Sequence, residues 1–568
     1  MPSFHLRHAQ SGAARSAALA ESSSATSRSG PRFMGAGSIA LISLAAVLTL
    51  RGFPAVAEYG WSSIAYYLLG AVLFLIPLAM IAAELASAYP KAGGLYAWVK
   101  EAFQERSGVL AIWFEWIEDQ VWFPTVLSFV AASAAYVFDP SLADHKVYLV
   151  IVMLGVFWGL TLLNFLGLRW TLRLNNPGVI IGTLIPVVVL IGLGVYWLAA
   201  GKHNQIPFHA SKLAPSLSNI NDLVFFVGVV LGYAGIELAG FHAKETRNPR
   251  RDFPRALGMA VVLIVGLSII ATLAIAFVVP QHQLSLVSGI PQTFALAFQS
   301  LGIGVWATKL IAVLITIGTL VLISTWLLGP SKGLYAAETT GELPPVLHKV
   351  NKRHVPVALL LMQGVLTSVF ALLFLFVPSV NTGYWMLTAL TTQILVMMYI
   401  MVMAAGIRLR YTQPDVERPY RVPGGLVGMW VVGGLGIIGC VFSFVIGFVP
   451  PPGVSHWPTP IYVTAMAVAI VVCSVPPFIV HRLRKPSWIE LHPDPVLLEL
   501  DEVKATAATV LHVDENAVVP IGVEDSAPAP SGSNGAPSAS NGVRPASNGV
   551  AAATNGHEAE PVKTEGTV

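Results

Sequence analysis

Three carboxylates share one face of an apolar stretch. In Trp113-Phe114-Glu115-Trp116-Ile117-Glu118-Asp119-Gln120-Val121-Trp122, the residues Glu115, Glu118 and Asp119 fall at i, i+3 and i+4 of a helix. One carboxylate at mid-bilayer costs about 2.5–3.5 kcal/mol, so three turned to lipid would cost roughly 7–10 kcal/mol. Such a face must line a wet cavity, pair with cations or carry protons, and its chemistry is then coupling or gating by proton exchange. The other reading places this turn near the membrane interface, because the stretch begins just after Gly108, about two turns earlier. A second grouping is Gly232-Tyr233-Ala234-Gly235-Ile236-Glu237-Leu238-Ala239-Gly240, with three glycines and one Glu inside an apolar run. Locally unwound helices leave backbone N–H and C=O groups free to hold a ligand's charged ends. Close packing through small residues is the alternative. Gly35-Ala36-Gly37-Ser38 and Ser43-Leu44-Ala45-Ala46 form a similar grouping near the start of the chain.

Catalytic signatures are missing. The chain has no Walker loop, no His-Glu-x-x-His and no nucleophile elbow, so nothing points to an enzyme. Its two cysteines, Cys440 and Cys473, build neither a disulfide framework nor a zinc site alone, and no cofactor is implied.

The elements that must position these groups follow from composition. Of 568 residues, 55% are hydrophobic and only 11% charged, against about 25% charged in soluble chains. With 33 Lys+Arg and 30 Asp+Glu, the net charge of +3 gives no footing for nucleic acid. Lipid is the main solvent. Twelve runs are long enough to cross a bilayer core of about 30 Å; they lie near 36–57, 63–88, 109–137, 147–167, 178–200, 220–241, 256–279, 303–329, 356–378, 382–407, 429–449 and 460–480. No signal peptide is evident before them. Eighteen Arg and Lys fall in loops after even-numbered runs, whereas outward-facing positions hold only Arg51, Lys146, Lys202, Lys212 and Lys309. Cationic loops stay cytoplasmic, which predicts a multi-pass protein of the cell (inner or plasma) membrane with both termini cytoplasmic. The fold class is therefore all-α and polytopic, with twelve transmembrane helices.

Residues 1–33 read as a disordered N-terminal tail, 34–485 as the membrane domain and 486–568 as a cytoplasmic acidic tail. From Ser487 on, twelve acidic and three basic residues give a net of −9, and Asn-Gly recurs every seven residues from Asn534 to Gly556. Such a composition cannot bury a core, so disorder is expected at least from 526.

Five stretches carry a resemblance. They are Pro90-Lys91-Ala92-Gly93-Gly94-Leu95-Tyr96-Ala97-Trp98, Tyr233-Ala234-Gly235-Ile236-Glu237, Glu245-Thr246-Arg247-Asn248-Pro249-Arg250-Arg251-Asp252-Phe253-Pro254, Trp326-Leu327-Leu328-Gly329-Pro330-Ser331-Lys332-Gly333-Leu334-Tyr335 and Arg421-Val422-Pro423-Gly424-Gly425. In order and spacing, over about 33–485, the chain resembles the amino acid–polyamine–organocation superfamily, and within it the glutamate/GABA antiporter family. The resemblance implies a leucine-transporter-like fold. One repeat would span about 34–200 and an inverted one about 220–407, with peripheral helices at about 429–480. It implies exchange of an amino acid for a related amino acid or amine by alternating access. Substrate contacts would come from Ser43, Leu44, Ala45 and Ala46, from Tyr233, Ala234, Gly235 and Glu237, and from Trp326, whose indole adds about 0.5–2 kcal/mol beside an ammonium. By position alone, Trp326 reads as a packed or interfacial residue.

The carboxylates of the third run depart from the glutamate/GABA pattern. An anionic wall disfavours an anionic substrate and leaves neutral or cationic amino acids open. Gln393, with Thr391 and Thr392, reads either as a helix–helix hydrogen bond or as a gate contact. Glu84 is expected to pair with a loop Arg or Lys, and Glu58 to sit at the outer interface. The basic stretch 244–255 suits anionic lipid and also ordinary topology determination. Besides exchange, two functions stay open: proton-coupled amino acid uptake, for which the third run argues, and a non-transporting scaffold or sensor using the acidic tail. The expected partners are a small amino acid or amine, protons and membrane lipid. Acid-resistance antiporters carry a C-terminal plug, and His492 and His512 stand among acids in the tail here. A chain ending at Lys485 is expected to transport faster at pH 7 in liposomes, and an unchanged pH profile would remove the plug.

Overall fold

The computed structural model describes residues 35–89, 94–165, 178, 180–215, 220–237, 248–335, 337, 341–353, 355–451 and 457–488. The N-terminal tail, the tail beyond residue 488, most of the first resemblance stretch's turn and the basic residues 244–247 lie outside them. Among the described residues the protein is helical, with one isolated β-bridge between Val350 and Pro356.

In chain order the helices are α1 (Ala36–Val47), α2 (Leu50–Ala57), α3 (Gly60–Ala88), α4 (Gly94–Phe103), α5 (Glu105–Phe138), α6 (Lys146–Asn164), α7 (Ile180–Ala199), α8 (Phe226–Gly232), α9 (Arg251–Val278), α10 (Gly289–Ser300), α11 (Val305–Tyr335), α12 (Val357–Phe376), α13 (Val380–Thr412), α14 (Gly425–Ile446) and α15 (Thr459–Leu483). Among the described residues, ten are long and apolar enough to cross a membrane, and α1 with α2, bent by 50°, makes an eleventh span. The sixth of the twelve expected runs accounts for the difference. Its helix stops at Gly232, and residues 238–247 lie outside the described part.

Burial sorts the helices. The long α5 and α13 are the most enclosed, and α5 packs chiefly against α11 and α13. The last helix, α15, is the least enclosed and turns Val468, Val471 and Val472 outward, as a lipid-facing element does. Pro124 lies inside α5 and Pro330 inside α11, which membrane helices tolerate when neighbours re-satisfy the freed carbonyls. Where α7 crosses α11, Gly182 faces Gly318, and a Cβ on either would collide with the other's backbone. Glycine is required there by the closeness of two helices.

Two polar clusters tie the bundle. Trp116 Nε1 on α5 donates to Ser331 Oγ on α11 at 3.1 Å, and Ser331 Oγ donates to Gln363 Oε1 on α12 at 2.7 Å. Thr367 on α12 donates to Gln120 on α5 at 3.2 Å, closing the cluster one residue from Asp119. The second cluster centres on Glu84, which is buried near the end of α3. Its carboxylate accepts from Arg410 through Nε and Nη2, from the backbone N–H of Val422 at 2.7 Å, and pairs with Arg418 at 3.2 Å. The expected loop cation is thus Arg418, joined by Arg410 from α13 itself. One carboxylate holds the ends of two spans and the segment between α13 and α14.

One sequence reading is corrected. Arg51 is not an outward loop cation: it is 7% exposed and sits at the bend between α1 and α2. The bend turns its side chain inward onto α5, where its Nη1 donates to Thr125 Oγ1 at 3.0 Å.

Removing Glu84 would leave two guanidinium groups without their buried counter-charge, which costs about 3–5 kcal/mol. Glu84→Ala is expected to lower the thermal unfolding midpoint in detergent well below that of an exposed-site control such as Glu105→Ala. An equal midpoint for the two would contradict the role given to this cluster.

Candidate functional site

Two interruptions of helix meet near the centre of the bundle. The first follows α1. Leu48 and Thr49 are extended (φ −72°, ψ 106° and φ −125°, ψ 133°), and the chain re-enters helix through a 3-10 turn at Leu50–Gly52. Pro54 lies in the first turn of the helix that follows, where its missing N–H costs nothing. The second interruption follows α8. Tyr233, Ala234 and Gly235 form a turn, and Gly235 has φ +98°, a conformation glycine alone adopts readily. A Cβ built on Gly235 would stand 3.5 Å from the carbonyl oxygen of Ala46, so the two breaks touch.

Glu237 closes the second break on itself. Its Oε2 accepts the Gly235 N–H at 3.1 Å, and its Oε1 accepts from Tyr399 Oη of α13 at 2.8 Å. Tyr399 Oη also accepts the Gly235 N–H at 3.3 Å. A backbone donor freed by the unwound turn is thus satisfied by a carboxylate and a phenol.

Between the breaks lies a cavity of about 60 Å³, room for a few water molecules. The first break lines it with Ala46, Val47, Thr49 and Arg51, and the second with Ala234, Gly235 and Glu237. From α5 come Glu115, Glu118, Asp119 and Trp122; from α11, Leu322 and Trp326; from α13, Leu395, Met398 and Tyr399. The Trp122 and Trp326 rings stand 5.9 Å apart. The Arg51 guanidinium lies 5.4 Å from the centroid of Trp122.

The α5 carboxylates are not at the helix end. Glu118 is thirteen residues into α5, about 20 Å along a helix of about 50 Å. Glu118 and Asp119 are buried and Glu115 is half-buried. Glu118 Oε2 has no hydrogen-bond partner, and neither does Arg51 Nε.

The cavity gathers Ala46, Ala234, Gly235, Glu237, Trp326, Glu115, Glu118 and Asp119 from the residues singled out by sequence. It does not include Ser43, Leu44, Ala45, Tyr233 or Gln393. Ser43 Oγ donates back to the Ile39 carbonyl within α1 at 2.9 Å. Tyr233 Oη donates to the Tyr67 carbonyl of α3 at 3.0 Å. Gln393 Nε2 donates to the Phe444 carbonyl of α14 at 2.9 Å, which is the helix–helix arrangement. Sequence reasoning missed nine lining residues, among them the polar and aromatic Arg51, Trp122 and Tyr399. For Arg51 the signal was present, a charge inside a run otherwise apolar from 36 to 57. Tyr399 lies in the apolar run 382–407 and had no comparable mark.

An amino acid permease family model matches residues 35–472. An uncharacterized transporter of Legionella pneumophila is 41% identical over 414 residues, covering 73% of this chain and 89% of the relative. A glutamate/gamma-aminobutyrate antiporter of Lactococcus lactis is 33% identical, covering 77% of this chain and 88% of the relative. A probable agmatine/putrescine antiporter of the same species is 25% identical over 65% of this chain and 78% of the relative. With its multiple membrane spans and this match over most of its length, the chain belongs to the amino acid permease family and is a multi-pass membrane transporter, not an enzyme.

Proposed function

We propose that the protein exchanges an amino acid for a related amino acid or amine by alternating access, with the substrate held in the cavity between the two helix breaks. The meeting of those breaks, with Gly235 against Ala46 and Glu237 beside them, carries the reading. Unwound backbone at membrane depth is tolerated only where protein or a wet cavity covers it, and here it faces the cavity between spans. In this reading the sixth run completes a twelfth span. The breaks then fall in the first span of each five-span half, which fits inverted repeats at about 34–200 and 220–407 with α14 and α15 peripheral. Both termini are placed in the cytoplasm of a cell-membrane protein on the loop charges.

The 60 Å³ cavity is smaller than an amino acid. Admission therefore requires a wall to move, and Trp326, half-buried on α11 against Trp122, is the wall we assign to that movement. Four carboxylates around the cavity argue against glutamate as the favoured substrate and leave neutral or cationic species. The same carboxylates favour a second reading, proton-coupled uptake, since a carboxylate that gains and loses a proton changes its demand for a cation.

One reconstitution separates the two. Exchange requires liposomes preloaded with unlabelled substrate; symport runs into empty vesicles under an inward pH gradient. Flux in neither condition, for all twenty amino acids and common amines, would favour a scaffold. Glu237→Gln is expected to cut the exchange rate by about tenfold or more while the protein still reaches the membrane, as loss of a charge-assisted hydrogen bond implies. Trp326→Ala is expected to raise KM about 2- to 30-fold, the range of a cation–π contact. Wild-type flux in both variants would refute this placement of the site.

A further inference from the structure

Among the described residues, Arg51 brings the only Arg or Lys side chain into a cavity that four carboxylates also line. Its side chain contacts α5 twice: the Trp122 ring at 5.4 Å and Thr125 Oγ1 at 3.0 Å. Trp122 is one turn and Thr125 two turns beyond Glu118 on the same helical face. Arg51 is therefore anchored about 5–11 Å along α5 from the acidic turn. No direct hydrogen bond or ion pair joins Arg51 and Glu118, although their charges attract across the cavity. Arg51 Nε and Glu118 Oε2 are each without a partner, although both residues are only 7% exposed. Buried charges with free polar atoms are costly unless something completes them.

We propose that Arg51 receives the substrate's carboxylate and that Glu118 and Asp119 receive a cationic side chain, so that the cavity selects dibasic amino acids. This rests on the transport reading above and narrows its substrate class. The charge pattern discriminates end by end. An amino acid with a neutral side chain answers Arg51 and leaves Glu118 open. An acidic one sets a second carboxylate against Glu118 and Asp119. A diamine answers the acids and leaves Arg51 uncompensated. A dibasic amino acid, with a carboxylate at one end and a cation about five to seven bonds away, answers both ends across one to two turns of α5. Trp122 and Trp326 flank the path between them with two aromatic faces suited to a cation and its alkyl stem.

Lysine and cadaverine test the assignment, because they differ by the carboxylate alone. The full-length protein is reconstituted in liposomes, each batch preloaded with the unlabelled form of the solute under test, and exchange is measured with labelled lysine, cadaverine, leucine and glutamate. Wild type is expected to favour lysine over leucine and glutamate by about tenfold or more. Arg51→Gln is expected to raise the KM for lysine by about tenfold or more and leave that for cadaverine unchanged. Glu118→Gln is expected to raise the KM for lysine and not that for leucine. An equal loss of lysine and cadaverine in Arg51→Gln overturns the carboxylate assignment. Preference of the wild type for leucine or glutamate overturns the substrate class while leaving transport intact, whereas no flux of any amino acid or amine overturns the transport reading itself. Should Arg51→Gln not reach the membrane, Arg51→Lys carries the same comparison. It keeps the charge but loses the planar fork, so lysine KM should rise severalfold with cadaverine unmoved, and an equal change in both again overturns the proposal.

Discussion

A charge inside a membrane protein must be answered there, because neither lipid nor bulk water will answer it. The interior of this transporter is arranged around that constraint. Glu84 is answered three times over, by Arg410, Arg418 and the Val422 N–H, and becomes a fixed knot between α3, the end of α13 and the segment that follows. Glu237 is answered by a backbone donor and a phenol, and so holds open the break from which it comes. Arg51 and Glu118 keep atoms unanswered and face a common cavity. The same physical rule thus separates groups that hold the fold from groups left for a ligand.

The walls of the cavity differ in how firmly they are held. The α5 wall is joined to α11 and α12 through Trp116, Ser331, Gln363, Gln120 and Thr367, directly behind the acidic turn. This polar network fixes the register of α5 against its neighbours, so the acidic face cannot rotate toward lipid without breaking several buried hydrogen bonds at once. The broken segments are short by comparison. The helix of α8 has seven residues, and the piece of helix around Pro54 has five. Short helices with extended or left-handed joints can tilt at modest cost, whereas a 34-residue helix buried along most of its length cannot.

Much of this was legible in the sequence, for identifiable reasons. Apolar run length specifies spans directly, and eleven of the twelve expected runs correspond to a helix or to the bent pair. The cost of three carboxylates in lipid left Glu115, Glu118 and Asp119 either an interior position or one near the interface, and all three line the interior cavity. Glycines around Glu237 marked the second break, and Gly235 takes the positive φ that makes it. What was not legible depends on side chains meeting across the bundle. Ser43 and Tyr233 sit in the right segments but turn their hydroxyls to carbonyls elsewhere. Arg51 was misread because loop cations are counted by position along the chain, and the 50° bend beside it leaves its side chain buried against α5. A single charge in a 22-residue apolar run is better read by the rule that governs Glu118 than by the rule that governs loops.

The hydrogen bonds of Glu237 also decide where binding free energy can come from. Both of its oxygens already accept, so an arriving ammonium must share that carboxylate with Gly235 and Tyr399 rather than fill a vacancy. A shared acceptor gains little beyond the exchange of one donor for another. Arg51 Nε and Glu118 Oε2 exchange nothing, because neither atom has a hydrogen-bond partner in the protein. A ligand that reaches both relieves two desolvated charges at once, and a ligand that reaches one leaves the other as costly as before. Discrimination therefore belongs to the span between Arg51 and Glu118, and Glu237 serves chiefly to keep the break in the shape that makes that span accessible.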